Sequence, residues 1–379
     1  MLLEILLIVY TIFLILINLG QLYLFKILPS LHSDRIIERE PRVSIIIPVR
    51  NEGKKLKESL ESILNQDYSN KEIIVVEGGS TDNTREILGF FKDRIKIVNE
   101  PPLPNGWVGK NWACYVGYHE AKGEYLLFTD GDTIHDRNLL KTAISKMEEE
   151  KADFLTLIPS LEMKSTTVKM VLPIIGQFIY VVNLAPYFNT SSRFGIFGNG
   201  QYMLIKRDAY AKIGGHEAVK SKIIEDFNLA KLLKKSNFRV RLYNGLSLFK
   251  VRMYDDMKEM LEGWGKNLYI GLRAKLSYLC LAILSLIFIY LFPFFMFTYD
   301  VYNWFFGSQM IFFPFSFVLY LFYILRFGIM YYKLNTNFLF GFLYFIPIIL
   351  TIYLLIYSYI KYRKGIVWKG RIYKGSEII

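Results

Sequence analysis

Cysteine is nearly absent from this chain: Cys114 and Cys280 are the only two in 379 residues. They fall in different regions, the second inside an apolar run, so they supply neither a metal cluster nor a disulfide framework. A Gly-x-Gly-x-x-Gly turn and a Walker-type lysine loop are also missing, which removes support for dinucleotide redox chemistry and ordinary ATP hydrolysis. There is no internal repeat and no RNA-type aromatic motif. The net charge of +12 therefore needs no nucleic acid. Lys and Arg beside membrane segments commonly face anionic lipid, and some suit a phosphorylated substrate. Before the first apolar run, the basic region and small-residue cleavage site of a secretory signal are missing too.

What is present is apolar sequence at both ends. Residues 5–25 carry no charge, and a span needs roughly 20 such residues, so 1–28 reads as an uncleaved transmembrane anchor. Three further uncharged stretches, 276–299, 301–325 and 334–360, assign 276–360 to C-terminal membrane segments, with Tyr299, Tyr302 and Trp304 suited to an interface. Between them, 40–275 is the working domain. Lys26, Arg35, Arg39 and Arg42 follow the first span, which predicts a multi-pass cell-membrane protein with that domain in the cytoplasm. The basic tail, 361–379, with Lys361, Arg363, Lys364, Lys369, Arg371 and Lys374, also asks for the cytoplasm. Three C-terminal crossings would put it outside, so either one segment is re-entrant or interfacial, or charge does not decide.

Within the working domain, Val43–Val49 is β-branched and ends near Pro48. Leu56, Leu60, Ile63 and Leu64 then recur at helical spacing. Strands at 73–76, 95–98 and 124–129 alternate with helices, the last of them at 111–121. That alternation predicts an α/β fold of βαβ units with a parallel sheet. The fourth strand runs into Phe128-Thr129-Asp130-Gly131-Asp132. On a strand, residues two apart share a face, so Asp130 and Asp132 are expected to converge at its carboxyl end, where open α/β sheets bind ligands. Such a pair can hold Mg²⁺ or Mn²⁺ shared with substrate phosphates; a lone Asp-x-Asp is also a common surface turn. The run at 168–188 is apolar and aromatic but broken by Pro173, Gln177, Asn183 and Pro186. It is expected to be an interfacial helix guiding a lipid acceptor, with Val171 and Ile175 at work.

The segment Val43-Ser44-Ile45-Ile46-Ile47-Pro48-Val49-Arg50-Asn51-Glu52 resembles the opening strand and Asn-Glu turn of family 2 glycosyltransferases. Ser80-Thr81-Asp82, the Asp130/Asp132 pair and Glu225-Asp226 follow in that family's order. The chain is more closely similar to membrane-bound glycosyltransferases of carotenoid and hopanoid pathways. That likeness is carried by Gly106-Trp107-Val108-Gly109-Lys110-Asn111-Trp112-Ala113-Cys114, Gly214-Gly215-His216, Glu262-Gly263-Trp264-Gly265-Lys266 and Val367-Trp368-Lys369-Gly370-Arg371-Ile372-Tyr373. Two departures stand out. Glu77-Gly78 replaces the family's usual Asp pair after the second strand, and the Gln-x-x-Arg-Trp signature of processive synthases is missing.

The resemblance implies a GT-A fold, a nucleotide-binding mixed sheet flanked by helices, with transmembrane helices at both ends. It implies metal-dependent, inverting transfer of a sugar from a UDP- or GDP-type donor to an isoprenoid-type lipid. It further implies donor contacts at Pro48, Asn51, Glu52, Glu77, Lys110, Asp130, Gly200, Glu225 and Trp264, metal ligation by Asp130 and Asp132, and Asp226 as general base. A carboxylate at a helix start is also an ordinary cap, Trp107 suits either a nucleotide or the underside of its loop, and His216 is a candidate for the acceptor side. Trp264, Lys266, Trp368 and Arg371 are candidates for a lid or phosphate clamp, which an interfacial aromatic-and-basic belt explains as well. The alternatives are a polyprenyl-phosphate sugar synthase, a polysaccharide synthase or a catalytically silent membrane scaffold.

Overall fold

A computed structural model describes residues 1–32, 39–192, 195–368 and 371–373. Arg35, Lys369, Gly370 and Lys374 lie outside the described residues, and for Trp368 the backbone alone is described. In chain order the first elements are α1 (Leu2–Lys26), β1 (Val43–Val49), α2 (Leu56–Leu64), β2 (Lys71–Glu77), α3 (Thr84–Gly89), β3 (Lys96–Asn99), α4 (Gly109–Glu120) and β4 (Tyr125–Phe128). Next come β5 (Thr133–His135), α5 (Leu139–Glu149), β6 (Phe154–Ile158), β7 (Ser160–Leu161), α6 (Thr166–Val182), β8 (Met203–Lys206), α7 (Arg207–Lys212) and α8 (Glu225–Lys235). The chain continues through β9 (Val240–Asn244), β10 (Phe249–Val251), α9 (Met257–Gly271), α10 (Leu276–Leu286), α11 (Phe292–Phe305), α12 (Phe315–Lys333) and α13 (Phe345–Lys364). A hairpin of β11 (Ile366–Trp368) and β12 (Arg371–Tyr373) follows.

Two units result. The sheet unit comprises Ile27–Glu162, Val182–Met253 and the chain from Gly365 onward. Its main sheet runs β3-β2-β1-β4-β8-β6-β9. The first four strands are parallel, as the alternation predicts. Beyond β4 the order turns, as the mixed sheet implied by the resemblance requires: β8 is antiparallel to both β4 and β6. The sheet is mixed. Strand periodicity assigns the two faces: Val43, Ile45, Ile47 and Val49 join Leu56, Leu60, Ile63, Leu140 and Ile144 in one core, while Ile46 meets α4 at Gly117. Pro48 is tolerated in this central strand because β4 pairs with β1 only as far as Ile46, so no ladder bond is lost there.

The helical unit comprises Met1–Lys26, Met163–Val181 and Tyr254–Lys364. Among the described residues four helices are long and apolar enough to cross a membrane: Leu2–Lys26, Leu276–Phe305, Phe315–Lys333 and Phe345–Lys364. The expected span at 301–325 is divided. Its first residues extend the preceding helix past Asp300, whose buried carboxylate accepts from Ser316 Oγ (2.6 Å) and Phe312 N (3.1 Å) and so joins α11 to the start of α12. Arg326, just past the expected stretch 301–325, lies inside α12 and bonds Gln21 Oε1 at 2.7 Å. Gln21 also accepts from Tyr290 and Gln177. In α6, Val171 and Ile175 are wholly buried, which corrects their expected role as lipid guides: packing already occupies both side chains. Past Lys333 the chain folds back along α12, and Tyr344 stacks on Tyr323 and Phe327 in mid-helix. Phe345, the first residue of α13, stacks on Phe294 at 4.0 Å. Further along α13, Ser358 Oγ accepts from the Tyr269 amide of α9.

The close seat of α4 on the sheet gives a direct test of this packing. A Cβ on Gly117 would lie 2.5 Å from Ile46 Cγ2 and 3.1 Å from Val76 Cγ2. Overpacking of this kind costs about 1–3 kcal/mol. Gly117→Leu should therefore lower the thermal midpoint of the purified protein, whereas an unchanged midpoint would place α4 further from the sheet.

Candidate active site

The carboxyl ends of β1, β2 and β4 form the floor of the site, the usual ligand edge of an α/β sheet. Asn51 turns the chain after β1 with φ 55°, a region Asn tolerates better than most residues. Its amide donates to Ser80 Oγ, its side-chain oxygen accepts from Thr81 N, and the Glu52 amide donates to Thr84 Oγ1 at 2.9 Å. The two turns named by the sequence therefore form one laced wall. Glu77 closes it from beneath: its buried carboxylate accepts from Ser80 N and pairs with Arg85 at 2.9 Å. Those partners orient the carboxylate expected to meet the donor.

The Asp130/Asp132 pair departs from the strand expectation. β4 ends at Phe128, and both aspartates lie in the turn before β5. What gathers charge here is the antiparallel β8. Phe128 of β4 pairs with Met203, so the loop entering β8 starts beside Asp130, and Thr129 Oγ1 donates to the Gln201 carbonyl at 2.7 Å. Gly200 in that loop is the point of closest approach. A Cβ there would meet Lys110 Nζ at 2.8 Å, Glu225 Oε1 at 3.0 Å and Asp226 Oδ2 at 3.4 Å. Lys110 Nζ in turn lies 2.7 Å from Asp130 Oδ1 and 3.0 Å from Glu225 Oε1. Three segments distant in sequence thus meet around one ammonium.

Asp226 is oriented by backbone donors, accepting from Gly200 N at 2.8 Å on one oxygen and Phe227 N at 2.7 Å on the other. Burial pushes its carboxyl up to about 7, and the negative charge of Glu225 adds to this, against Lys110 and the two amides. Burial opposes the charge of Lys110 as well, yet Asp130 and Glu225 outweigh it and hold the ammonium well above the usual lysine range. A residue the sequence reading did not single out sets this geometry. Asn111 donates to the carbonyls of Val219, Lys220 and Lys222, which fixes the loop leading into Glu225 against the helix that carries Lys110. An Asn in the first turn after a Pro/Gly-rich loop was its signal.

Trp107, expected either at a nucleotide or beneath its loop, packs on Trp112 and Tyr115 of α4, with ring centroids 5.1 and 5.0 Å away. His216 is fully buried, bonded to the Tyr210 hydroxyl at 2.8 Å and edge-on to Phe128. Burial, reinforced by Lys110, holds its pKa down at about 3. It is a neutral core residue and does not line an acceptor opening. Trp264 lies in the helical unit, its ring against Tyr254. Among the described residues no three His, Cys, Asp or Glu side chains are grouped to hold a metal. The carboxylates expected as donors, Asp130 and Asp132, are hard oxygen ligands, and Asp130 also pairs with Lys110. They fit Mg²⁺ or Mn²⁺, which commonly bind through one or two carboxylates with substrate phosphates completing the shell.

Residues 44–214 match the model of Glycosyl transferase family 2. A 4,4'-diaponeurosporenoate glycosyltransferase of Staphylococcus haemolyticus is 27% identical over 266 residues, 69% of this chain and 70% of that protein. Its namesake in Staphylococcus aureus is 26% identical over 60% of this chain and 61% of its own length. Among solved structures, the mannosyltransferase PcManGT of Pyrobaculum calidifontis, in complex with GDP-Man and Mn²⁺, superposes with a TM-score of 0.56 at 16% identity. The superposition covers 94% of this chain and 98% of that one.

Gly200 provides the test of the cluster. The atoms facing its missing Cβ are mostly ends of side chains, so Gly200→Ala should leave the fold intact while pushing Lys110 and Glu225 aside. Displacement of about 1 Å in a reacting site costs on the order of a hundredfold. Turnover should fall by that order with an unchanged melting profile, and wild-type turnover would remove the cluster from the chemistry.

Proposed function

Because the chain carries a family 2 glycosyltransferase domain with a GT-A fold, we propose that it transfers a sugar, with inversion, from a nucleoside-diphosphate donor to an isoprenoid-type lipid. The observation that carries this reading is the meeting of Asp130, Glu225 and Asp226 around Lys110 at Gly200. The acceptor follows the staphylococcal relatives, whose name specifies a carotenoid acid. The donor class and metal follow PcManGT. A hydroxyl or carboxyl oxygen of the lipid forms the new bond to the anomeric carbon while the bond to the diphosphate breaks on the opposite face. A hydroxyl acceptor gives its proton to Asp226, which Gly200 N–H and Phe227 N–H hold in place. Asp130 and Asp132 would hold Mg²⁺ or Mn²⁺, which when bound neutralises charge gathering on the departing diphosphate. Lys110, drawn off its carboxylates, adds a point charge to the same phosphates.

The pH dependence follows from the groups facing Asp226, namely Glu225 and Lys110, with Asp130 beyond. A base must be ionised, so with a hydroxyl acceptor the rate should fall as pH drops through about 7 and level off above it. Asp226→Asn should cost roughly 10²–10⁴ in turnover while nucleoside-diphosphate binding persists. Stability should move the other way. The raised carboxyl favours the protonated folded form, so its contribution declines as pH rises from the ordinary carboxylate range through about 7, and the Asn variant should melt higher at pH 8. A flat rate profile together with wild-type turnover in Asp226→Asn would end its assignment as base.

Membrane orientation belongs to the same reading. Lys26, Arg39 and Arg42 flank α1 on the side of the sheet unit, which favours the cytoplasm. The tail pairs with the sheet unit through Arg371 and Glu100 (2.8 Å), so both lie on one side of the membrane. The chain then crosses an even number of times between Met253 and Gly365, although three candidate helices intervene. α13 is the one that does not cross, because it begins at Phe345 beside Phe294, in the interior of the preceding span. With Cys280 removed, cysteines at Asn335 and Lys364 should be labelled from the side of the sheet unit, and one at Ser308 from the opposite side. Labelling of Asn335→Cys and Lys364→Cys from opposite sides would make α13 a full crossing.

A further inference from the structure

The C-terminal hairpin brings a cation to an unusual place. Arg371 lies across Gly109, the first residue of α4, so closely that a Cβ there would collide with its guanidinium. Its Nη2 pairs with Glu100 Oε1 at 2.8 Å, and the hydroxyl of Tyr373 accepts from the Gly109 amide at 3.3 Å. α4 has 12 residues, and its N-cap, Val108, offers no side-chain acceptor. The positive end of a helix ordinarily attracts carboxylates and repels cations; here an arginine stands at it, next to Lys110. Lys110 is the one ammonium facing Asp130 and Glu225, and with Asp226 beside them the cluster is net negative. An entering diphosphate therefore gains from positive charge beyond what Lys110 supplies. An arginine fork is the side chain best matched to phosphate oxygens.

We propose that Arg371 is a donor-diphosphate contact delivered by the C-terminal hairpin, and that it exchanges Glu100 for the phosphates when a nucleoside diphosphate binds. This rests on the nucleotide-sugar reading above and extends it to the far end of the chain. Gly109 is part of the device, because the guanidinium reaches the helix end only where no side chain stands.

The test is titration of the purified full chain with UDP, GDP, uridine and guanosine in the presence of Mn²⁺. Relative to wild type, Arg371→Gln should weaken the preferred nucleoside diphosphate by about ten- to a hundredfold, the usual loss for one charge-assisted hydrogen bond, with its nucleoside changed by no more than about twofold. Arg371→Lys should recover part of that loss. Gly109→Ala should reproduce the effect of Arg371→Gln, since its helical backbone accepts alanine while the added methyl displaces the guanidinium. Wild-type diphosphate affinity in both Arg371→Gln and Gly109→Ala would overturn the proposal. So would equal losses for diphosphate and nucleoside, which would make the hairpin a strut. If wild type bound neither UDP nor GDP, the nucleotide-sugar reading itself would fail, and the clamp with it.

Discussion

The ammonium of Lys110, held between Asp130 and Glu225, is the interaction on which the candidate site depends. Carboxylates drawn together out of water repel one another and lose hydration, and such a group persists only where a cation and hydrogen-bond donors compensate. Lys110 supplies the charge, and the amides of Gly200 and Phe227 supply the donors to Asp226. Each contributor comes from a different element, so the cluster forms only after the sheet has assembled. The antiparallel β8 is the decisive topological step, because its amino end lies beside the carboxyl end of β4. A parallel strand in that position would have carried the Gly200 loop to the other edge of the sheet.

Much of this was legible in the sequence. β-branched runs and helical spacing located β1, α2 and α4, and the apolar stretches located the membrane-type helices, because both signals are local. The order of β8 and β6 was not legible, since strand direction depends on pairing partners that no single window contains. The Asp pair was found for the right reason of composition and the wrong reason of geometry: both residues sit in a turn, where alternation no longer applies. His216 looked available as an isolated histidine, yet Tyr210 and Phe128 enclose it. Asn111 was passed over because its worth lies in three carbonyls more than a hundred residues away.

The helical unit shows the same dependence of polar groups on assembly. Gln21 Oε1 accepts from Arg326, Tyr290 and Gln177, which brings α1, α6, α12 and the α10–α11 span to one point. Inside an apolar unit, a polar group without partners is far more costly than in water. This node therefore ties the helices to one register, where sliding apolar contacts alone would discriminate weakly. Arg326 also lies over the rings of Phe327 and Tyr290, so the guanidinium face is covered while its edge bonds Gln21. Covered on its face and bonded at its edge, this charge serves the packing of the helices.

The charge balance around Asp226 also bears on which acceptor oxygen the site can use. With Asp226 as the proposed base, a lipid hydroxyl needs it ionised. A carotenoid carboxylic acid is already ionised near neutrality and needs no base, but it would meet a cluster that already holds Asp130, Glu225 and Asp226 around a single lysine. Two adjacent carboxylates coexist most readily when they share a proton, so that acceptor asks for Asp226 in its protonated form. On the proposed reading, burial raises this carboxyl towards neutrality, which puts its change of protonation where the two acceptors part. The two chemistries then differ in the sign of their pH dependence below and above that point: the hydroxyl reaction gains as Asp226 loses its proton, and the carboxylate reaction gains as Asp226 takes one up.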